Sequence, residues 1–142
     1  NLVGWDWFSI KLDNQSELML YQLRNKKGGK DPYSSGTLIS ADGQSRHILG
    51  HEFAITPIKF WTSPHTNATY PAGWTLTLPE GTLKITPDFP DQELYHLRSI
   101  GSSYWEGSVT IKGKLQGQPV SGKGYVELVG YEKPLIQGDI WQ

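Results

Sequence analysis

Apolar residues recur at every second position along most of this chain, and a period of two is the mark of strands rather than helices. Residues 5–12, Trp5-Asp6-Trp7-Phe8-Ser9-Ile10-Lys11-Leu12, carry that constraint furthest. Successive side chains of a strand point to opposite faces, so Trp5 and Trp7 share one face while Asp6, Phe8, Ile10 and Leu12 share the other. Such a strand needs cover on both sides. Residues 17–24 repeat the pattern, with Leu18 and Leu20 against Met19, Tyr21 and Leu23. In residues 53–61, Phe53, Ile55 and Trp61 oppose Ile58 and Phe60.

Other segments are one-sided. Trp74, Leu76 and Leu78 oppose Thr75 and Thr77; Leu83 and Ile85 oppose Thr82, Lys84 and Thr86. That pattern suits a sheet with one dry and one wet face. Strands are expected over 5–12, 17–24, 36–41, 69–78, 82–86, 104–112 and 120–130, with a long extended stretch over 47–62 that Pro57 bends. Asp42-Gly43 is a hairpin turn signal, residues 25–34 form a longer Gly-rich loop, and 113–118 a turn. Residues 91–98 carry Leu94 and Leu97 at helical spacing and suit a short helix; residues 135–141 suit a last strand. About eight to nine short strands with so little helix point to an all-β antiparallel barrel, which removes the edge problem of a meander. A sandwich is the alternative.

The 142 residues suit one domain with one core. A net charge of −1 without a basic face argues against nucleic-acid binding. No apolar run approaches the ~18 residues of a membrane span. The absence of cysteine excludes disulfides and thiolate metal sites. None of the histidines, His47, His51, His65 and His96, has a partner at a zinc spacing, so no metal or other cofactor is expected. No Gly-x-Ser-x-Gly elbow is present, and Gly122-Lys123-Gly124 lacks the phosphate-loop pattern. Asn67-Ala68-Thr69 fits a short glycosylation sequon. Lys26, Lys27 and Lys30 read as a solvated loop tip.

Asp6 is the candidate acid. Among apolar neighbours its pKa would rise, suiting it to protonate an alkene or polarise water. The competing reading is an Asp at the barrel mouth, bonded to backbone or to a Tyr or Trp. Trp5, Trp7, Phe8, Tyr21, Trp74, Tyr104, Trp105 and Glu106 are the candidate ligand-binding residues. Each has a plainer role available: Trp105 in the core, Glu106 on a solvated face with Tyr104 and Ser108, Glu127 as a cross-strand partner.

Several stretches together resemble one family. They are Gly4-Trp5-Asp6-Trp7-Phe8-Ser9, Glu17-Leu18-Met19-Leu20-Tyr21-Gln22-Leu23-Arg24, Ser35-Gly36-Thr37-Leu38-Ile39, Trp61-Thr62-Ser63-Pro64, Tyr70-Pro71, Pro90-Asp91-Gln92-Glu93-Leu94, Tyr104-Trp105-Glu106-Gly107 and Gly122-Lys123-Gly124-Tyr125-Val126-Glu127-Leu128-Val129-Gly130-Tyr131. In order and spacing they resemble the carotenoid 1,2-hydratase (hydroxyneurosporene synthase)/AttH-like group of lipocalin-related proteins. The resemblance implies a lipocalin-like (calycin) barrel, the C-terminal of two such domains in a longer chain, packed on a preceding barrel domain. It also implies a periplasmic or secreted location. In the family a His- and Trp-containing acidic segment tends to lie just upstream of the Gly-Trp-Asp-Trp position; that segment is absent from this sequence, where only Asn1, Leu2 and Val3 come before Gly4.

Three functions are compatible with these residues. One is a module binding an apolar, isoprenoid-like small molecule. Another is an enzyme that hydrates or isomerises an apolar alkene with Asp6 as acid. The third is a structural domain packed on its partner barrel.

Overall fold

The computed structural model describes residues 2–95 and 103–132. The described residues form twelve strands: β1 Leu2–Leu12, β2 Glu17–Asn25, β3 Ser35–Ile39, β4 Ser45–Leu49, β5 Ala54–Pro57, β6 Phe60–Thr62, β7 Thr69–Pro71, β8 Trp74–Leu78, β9 Gly81–Pro87, β10 Glu93–Leu94, β11 Tyr104–Leu115 and β12 Gln118–Val129. A 3₁₀ turn, Gly50–Glu52, joins β4 to β5.

Ten strands make one antiparallel sheet in the order β4-β3-β2-β1-β12-β11-β9-β8-β5, with β10 also on β11; β6 and β7 pair separately. The sheet curls into a half-barrel, so the all-β barrel reading holds. β1 lies mid-sheet, paired with β2 on one side and β12 on the other. That position, with a full-length partner on each side and Trp5 and Trp7 on its outer face, accounts for its two-sided composition.

The free edges are β4 and β5, and side chains partly bridge them. Arg46 of β4 forks onto Glu80, between β8 and β9, donating from Nε and Nη2 at 2.8 Å each. Its Nη1 also reaches Glu52 at 3.3 Å. A bidentate guanidinium–carboxylate pair fixes orientation as well as charge, so it holds the two halves of the sheet in one relative position.

The inward faces fill the interior. Phe8, Leu20, Ile48, Leu76, Leu83, Ile85, Val109, Ile111, Val126 and Leu128 are fully enclosed. Phe8 meets Trp74 edge-on at 5.3 Å between ring centroids, and Trp74 meets Trp105 at 6.4 Å. The middle of the half-barrel is therefore packed with its own side chains, as small barrels commonly are.

Four segments depart from the sequence expectation. Residues 47–62 are not one extended stretch. β4 ends at Leu49; the 3₁₀ turn begins at Gly50, where any Cβ would crowd the Ser34 carbonyl, and the Glu52 carboxylate accepts the Leu49 N–H at 2.9 Å. β5 and β6 then fall in different sheets, on either side of the Pro57 bend. Residues 69–78 break at Ala72-Gly73, where the chain also changes sheet. These two breaks raise the strand count. The helix expected over 91–98 is corrected at its start: Glu93 and Leu94 form β10, opposite Trp105 and Tyr104. The burial of Glu93 selects the strand over a Leu94/Leu97 helical face. The turn expected over 113–118 shrinks to Gln116-Gly117 as β11 and β12 extend to meet it. The strand expected over 135–141 lies outside the described residues, as does His96.

Candidate ligand-binding site

The inward face of β2 continues past Leu18 and Leu20 to Gln22 and Arg24, so the apolar row turns polar near one end of the barrel. Asp6 of β1 stands opposite Gln22 in register. The three side chains meet there. Arg24 donates from Nη1 to Asp6 Oδ1 at 2.5 Å, and Gln22 donates from Nε2 to Oδ2 at 3.1 Å. The Tyr131 hydroxyl, just beyond β12, donates to Asp6 Oδ1 at 2.7 Å. Arg24 also donates from Nη2 to the Val129 carbonyl at 2.6 Å and lies 3.9 Å from the Tyr131 ring centroid. The Asp6 and Arg24 side chains are only 5% and 15% exposed, so water screens this pair weakly.

Gly4 makes the arrangement possible. It sits at the register shift in β1, where a Cβ would overlap both the Val129 carbonyl oxygen and Arg24 Nη2. Only a residue without a Cβ lets the guanidinium pass.

Burial pushes the Asp6 carboxyl above its ordinary range, while Arg24, Tyr131 and Gln22 pull it back. Tyr131 is raised as well, by burial first and then by the Asp6 charge. The site therefore holds one carboxyl whose lone pairs are largely occupied, bound to one immobilised guanidinium. Asp6 lies on the Phe8 side of β1, as expected, and its partners include a Tyr. Its geometry is that of a residue positioning Arg24.

Beside this cluster a notch of about 340 Å³ opens between the upper part of β2 and the β5 edge. Asp6, Gln22, Arg24 and Lys30 form its polar wall; Ile55, Pro57 and Trp74 form its apolar side. Lys30 corrects the loop-tip reading. It folds inward, donates from Nζ to the Phe53 carbonyl, and sits 4.1 Å from the Phe53 ring centroid. Burial lowers its pKa. Lys26 and Lys27 remain exposed.

A second buried polar cluster lies nearby. The Glu93 carboxylate of β10 accepts from the Ser63 hydroxyl, from Thr66 Oγ1 at 2.7 Å and from the Tyr70 hydroxyl at 2.8 Å. The Tyr70 hydroxyl is raised well above its ordinary range by burial and by its bond to Glu93. The Tyr70 and Tyr131 rings lie 5.6 Å apart, so the two polar clusters pack through their tyrosines. The Glu93 cluster closes on itself and anchors the 63–70 turn.

The candidate ligand residues do not share one space. Phe8, Trp74 and Trp105 are core, with Trp74 also backing the notch from beneath; Trp105 donates from Nε1 to the Pro90 carbonyl at 2.8 Å. Trp5, Trp7, Tyr21 and Glu106 line a groove of about 490 Å³ on the outer face, with Leu23 and Glu127. There Trp5 donates from Nε1 to Glu127 Oε1 at 3.0 Å, and Glu127 stands directly opposite Glu106. Tyr104 belongs to this outer face; burial and the two glutamates raise its phenol. Gln22 and Arg24 of the notch, and Tyr131 behind Asp6, carry no functional role in the sequence reading, and Lys30 only that of a loop tip. The period-2 row from Leu18 to Arg24 carried the signal for two of them.

Among the described residues no group of three His, Asp or Glu side chains is placed to hold a metal, and no helix is long and apolar enough to cross a membrane.

A family model described as AttH-like matches residues 1–131. The chain belongs to the AttH-like family. A crystal structure of a Nitrosomonas europaea protein assigned as an AttH is 40% identical, with a TM-score of 0.82, and covers 92% of this chain. Kievitone hydratase from Nectria haematococca is 23% identical over 93% of this chain, with a TM-score of 0.75, which shows a shared fold. This chain spans 40% of the length of each of those two. No curated protein sequence matches it. The AttH-like match extends past the end of β12 to Tyr131, so it takes in every residue of the Asp6 cluster.

Proposed function

We propose that this AttH-like domain binds a small molecule at the notch between β2 and β5. One observation carries the reading: a single open pocket sets an apolar surface of Ile55 and Pro57, backed by the buried Trp74, against a preorganised polar wall of Arg24, Gln22 and Lys30. Ligand sites commonly combine a mostly apolar lining with a few fixed polar groups. The interior is occupied by Phe8, Trp74 and Trp105, which favours binding at the mouth over insertion along the barrel axis. A ligand with an apolar, isoprenoid-like body fits the apolar side.

Titration with farnesol, followed by tryptophan emission, tests this. Saturable quenching is expected in the parent chain and not in Ile55→Asp, whose circular dichroism stays unchanged. Unsaturable quenching, or equal quenching in both proteins, would refute the notch as the site.

A hydratase-type reading also has support in the raised pKa of Asp6 at the pocket wall and in a hydratase among the proteins of this fold. Its difficulty is chemical. To deliver a proton to an alkene, Asp6 would first have to be protonated while Arg24 and Tyr131 both donate to Oδ1, an arrangement that suits the anion. The outer groove supports a further feature, contact with a second barrel domain of the same chain. Its Trp5, Trp7, Tyr21 and Leu23 form an apolar wall, and both solved relatives are longer than this chain.

A further inference from the structure

The charges around the notch do not cancel. Asp6 neutralises Arg24, which is further held by the Val129 carbonyl and the Tyr131 ring. Lys30 also faces the notch, yet it forms no ion pair with any described residue. An ammonium carries three donors, and the Phe53 carbonyl takes one. The Phe53 ring face stabilises the charge without neutralising it. The notch is thus left with one uncompensated cation, partly withdrawn from water, in the same opening as the apolar Ile55 and Pro57.

We infer that the notch selects amphipathic monoanions, with a carboxylate set against Lys30 and an apolar tail lying on Ile55 and Pro57 above the buried Trp74. The inference deepens the small-molecule reading above and rests on it. Three features support it. A partly desolvated cation gains more from an anion than a solvated one does, because it has already lost part of its hydration. Burial depresses the Lys30 pKa, the signature of that desolvation. Arg24 and Gln22 are fixed by Asp6, so additional donors on the same wall are preoriented at little entropic cost. The volume of about 340 Å³ lies at the small end of ligand pockets, which suits a medium-length tail. Asp6 itself faces the notch, but its charge is spent on Arg24, so it opposes an incoming carboxylate less than a free acid would.

The test compares decanoate with 1-decanol, equal in chain length and differing in head-group charge, by tryptophan emission at pH 7. The parent chain is expected to prefer decanoate by roughly tenfold, the value of one hydrogen bond between charged groups. In Lys30→Met, which keeps most of the apolar stem, the preference disappears while decanol affinity holds. Lys30→Arg restores it, and Lys27→Met, in the same loop, leaves it intact. Equal binding of acid and alcohol by the parent chain overturns the anion inference and leaves the small-molecule reading standing. A preference that survives Lys30→Met overturns the assignment to Lys30. Failure of both ligands to bind overturns the inference and the small-molecule reading together.

Discussion

Replacing Arg24 by Met removes one half of a pair that burial makes costly to break. The Asp6 side chain is 5% exposed and accepts from Arg24, Tyr131 and Gln22. Without the guanidinium, an ionised Asp6 keeps only two neutral donors and the Val129 carbonyl loses its partner. Removing one member of a buried ion pair typically costs about 3–5 kcal/mol; the 15% exposure of Arg24 places this case toward the lower end, near ~3 kcal/mol at neutral pH. The cost has a definite pH dependence. Asp6 already has a raised folded pKa, so its contribution to stability is full below its unfolded pKa and is lost as pH rises through the folded value. Removing Arg24 takes away the main charge that lowers that pKa, so the folded value climbs further. Both proteins bind the proton in acid, and Arg24→Met then loses more stability than the parent as pH rises. Urea unfolding followed by tryptophan emission at pH 4.5 and pH 7.5 measures this directly. The destabilisation is expected to be larger at pH 7.5. The double variant Asp6→Asn/Arg24→Met should be less unstable than the two single losses predict, by about 1–3 kcal/mol. A cost that is flat across pH, or additive losses in the double variant, would show that Asp6 and Arg24 do not act as a buried pair.

Two further substitutions probe the elements that hold the site. Gly4→Ala places a methyl group against the Val129 carbonyl and Arg24 Nη2; since the carbonyl belongs to the β1–β12 ladder, a loss of about 1–3 kcal/mol is expected, read as a lower melting temperature. Glu93→Gln turns one acceptor into a donor among three hydroxyls that all donate to it. It should cost about 1–3 kcal/mol in urea unfolding, and an effect below ~0.5 kcal/mol would mean that the 63–70 turn does not depend on this cluster.

What was legible in the sequence follows from the physics of each residue's environment. Alternation placed Asp6 with Phe8, Ile10 and Leu12, and Trp5 with Trp7, because side-chain direction in a strand is a local property. The barrel class followed from many short alternating runs. Breaks at Gly50–Glu52 and Ala72-Gly73 were not legible, because each depends on what a distant segment does: Ser34 crowds Gly50, and β5 pairs with β8 while β6 pairs with β7. Arg24 and Tyr131 reach Asp6 across 18 and 125 positions of sequence. Their meeting is a consequence of register, which local pattern does not supply. Lys30 misled for a related reason. A lysine in a Gly-rich loop normally stays in water, but the loop folds back so that Lys30 bridges to Arg24 and its ammonium lands over Phe53.

The aromatic residues of β1 and its neighbours separate into two tasks that composition alone merges. Phe8, Trp74 and Trp105 face inward and remove the free volume that a large apolar ligand would need, so the polar groups at the mouth acquire a small, shaped opening. Trp5, Trp7 and Tyr21 face outward and leave an apolar groove bordered by Glu106 and Glu127, opposite one another in register. Like charges directly opposite on a sheet are unfavourable, and the described contacts offset them only with the Trp5 indole N–H on Glu127 and with Tyr104 beside Glu106. Two copies meeting through this face would bring four such carboxylates together. A covering surface that instead carries an Arg or Lys between apolar residues would relieve the repulsion. For the domain contact proposed above, the charge pattern suits a different domain better than a second copy. The notch, where the small-molecule reading proposed above places its ligand, lies on the opposite side of the same strand.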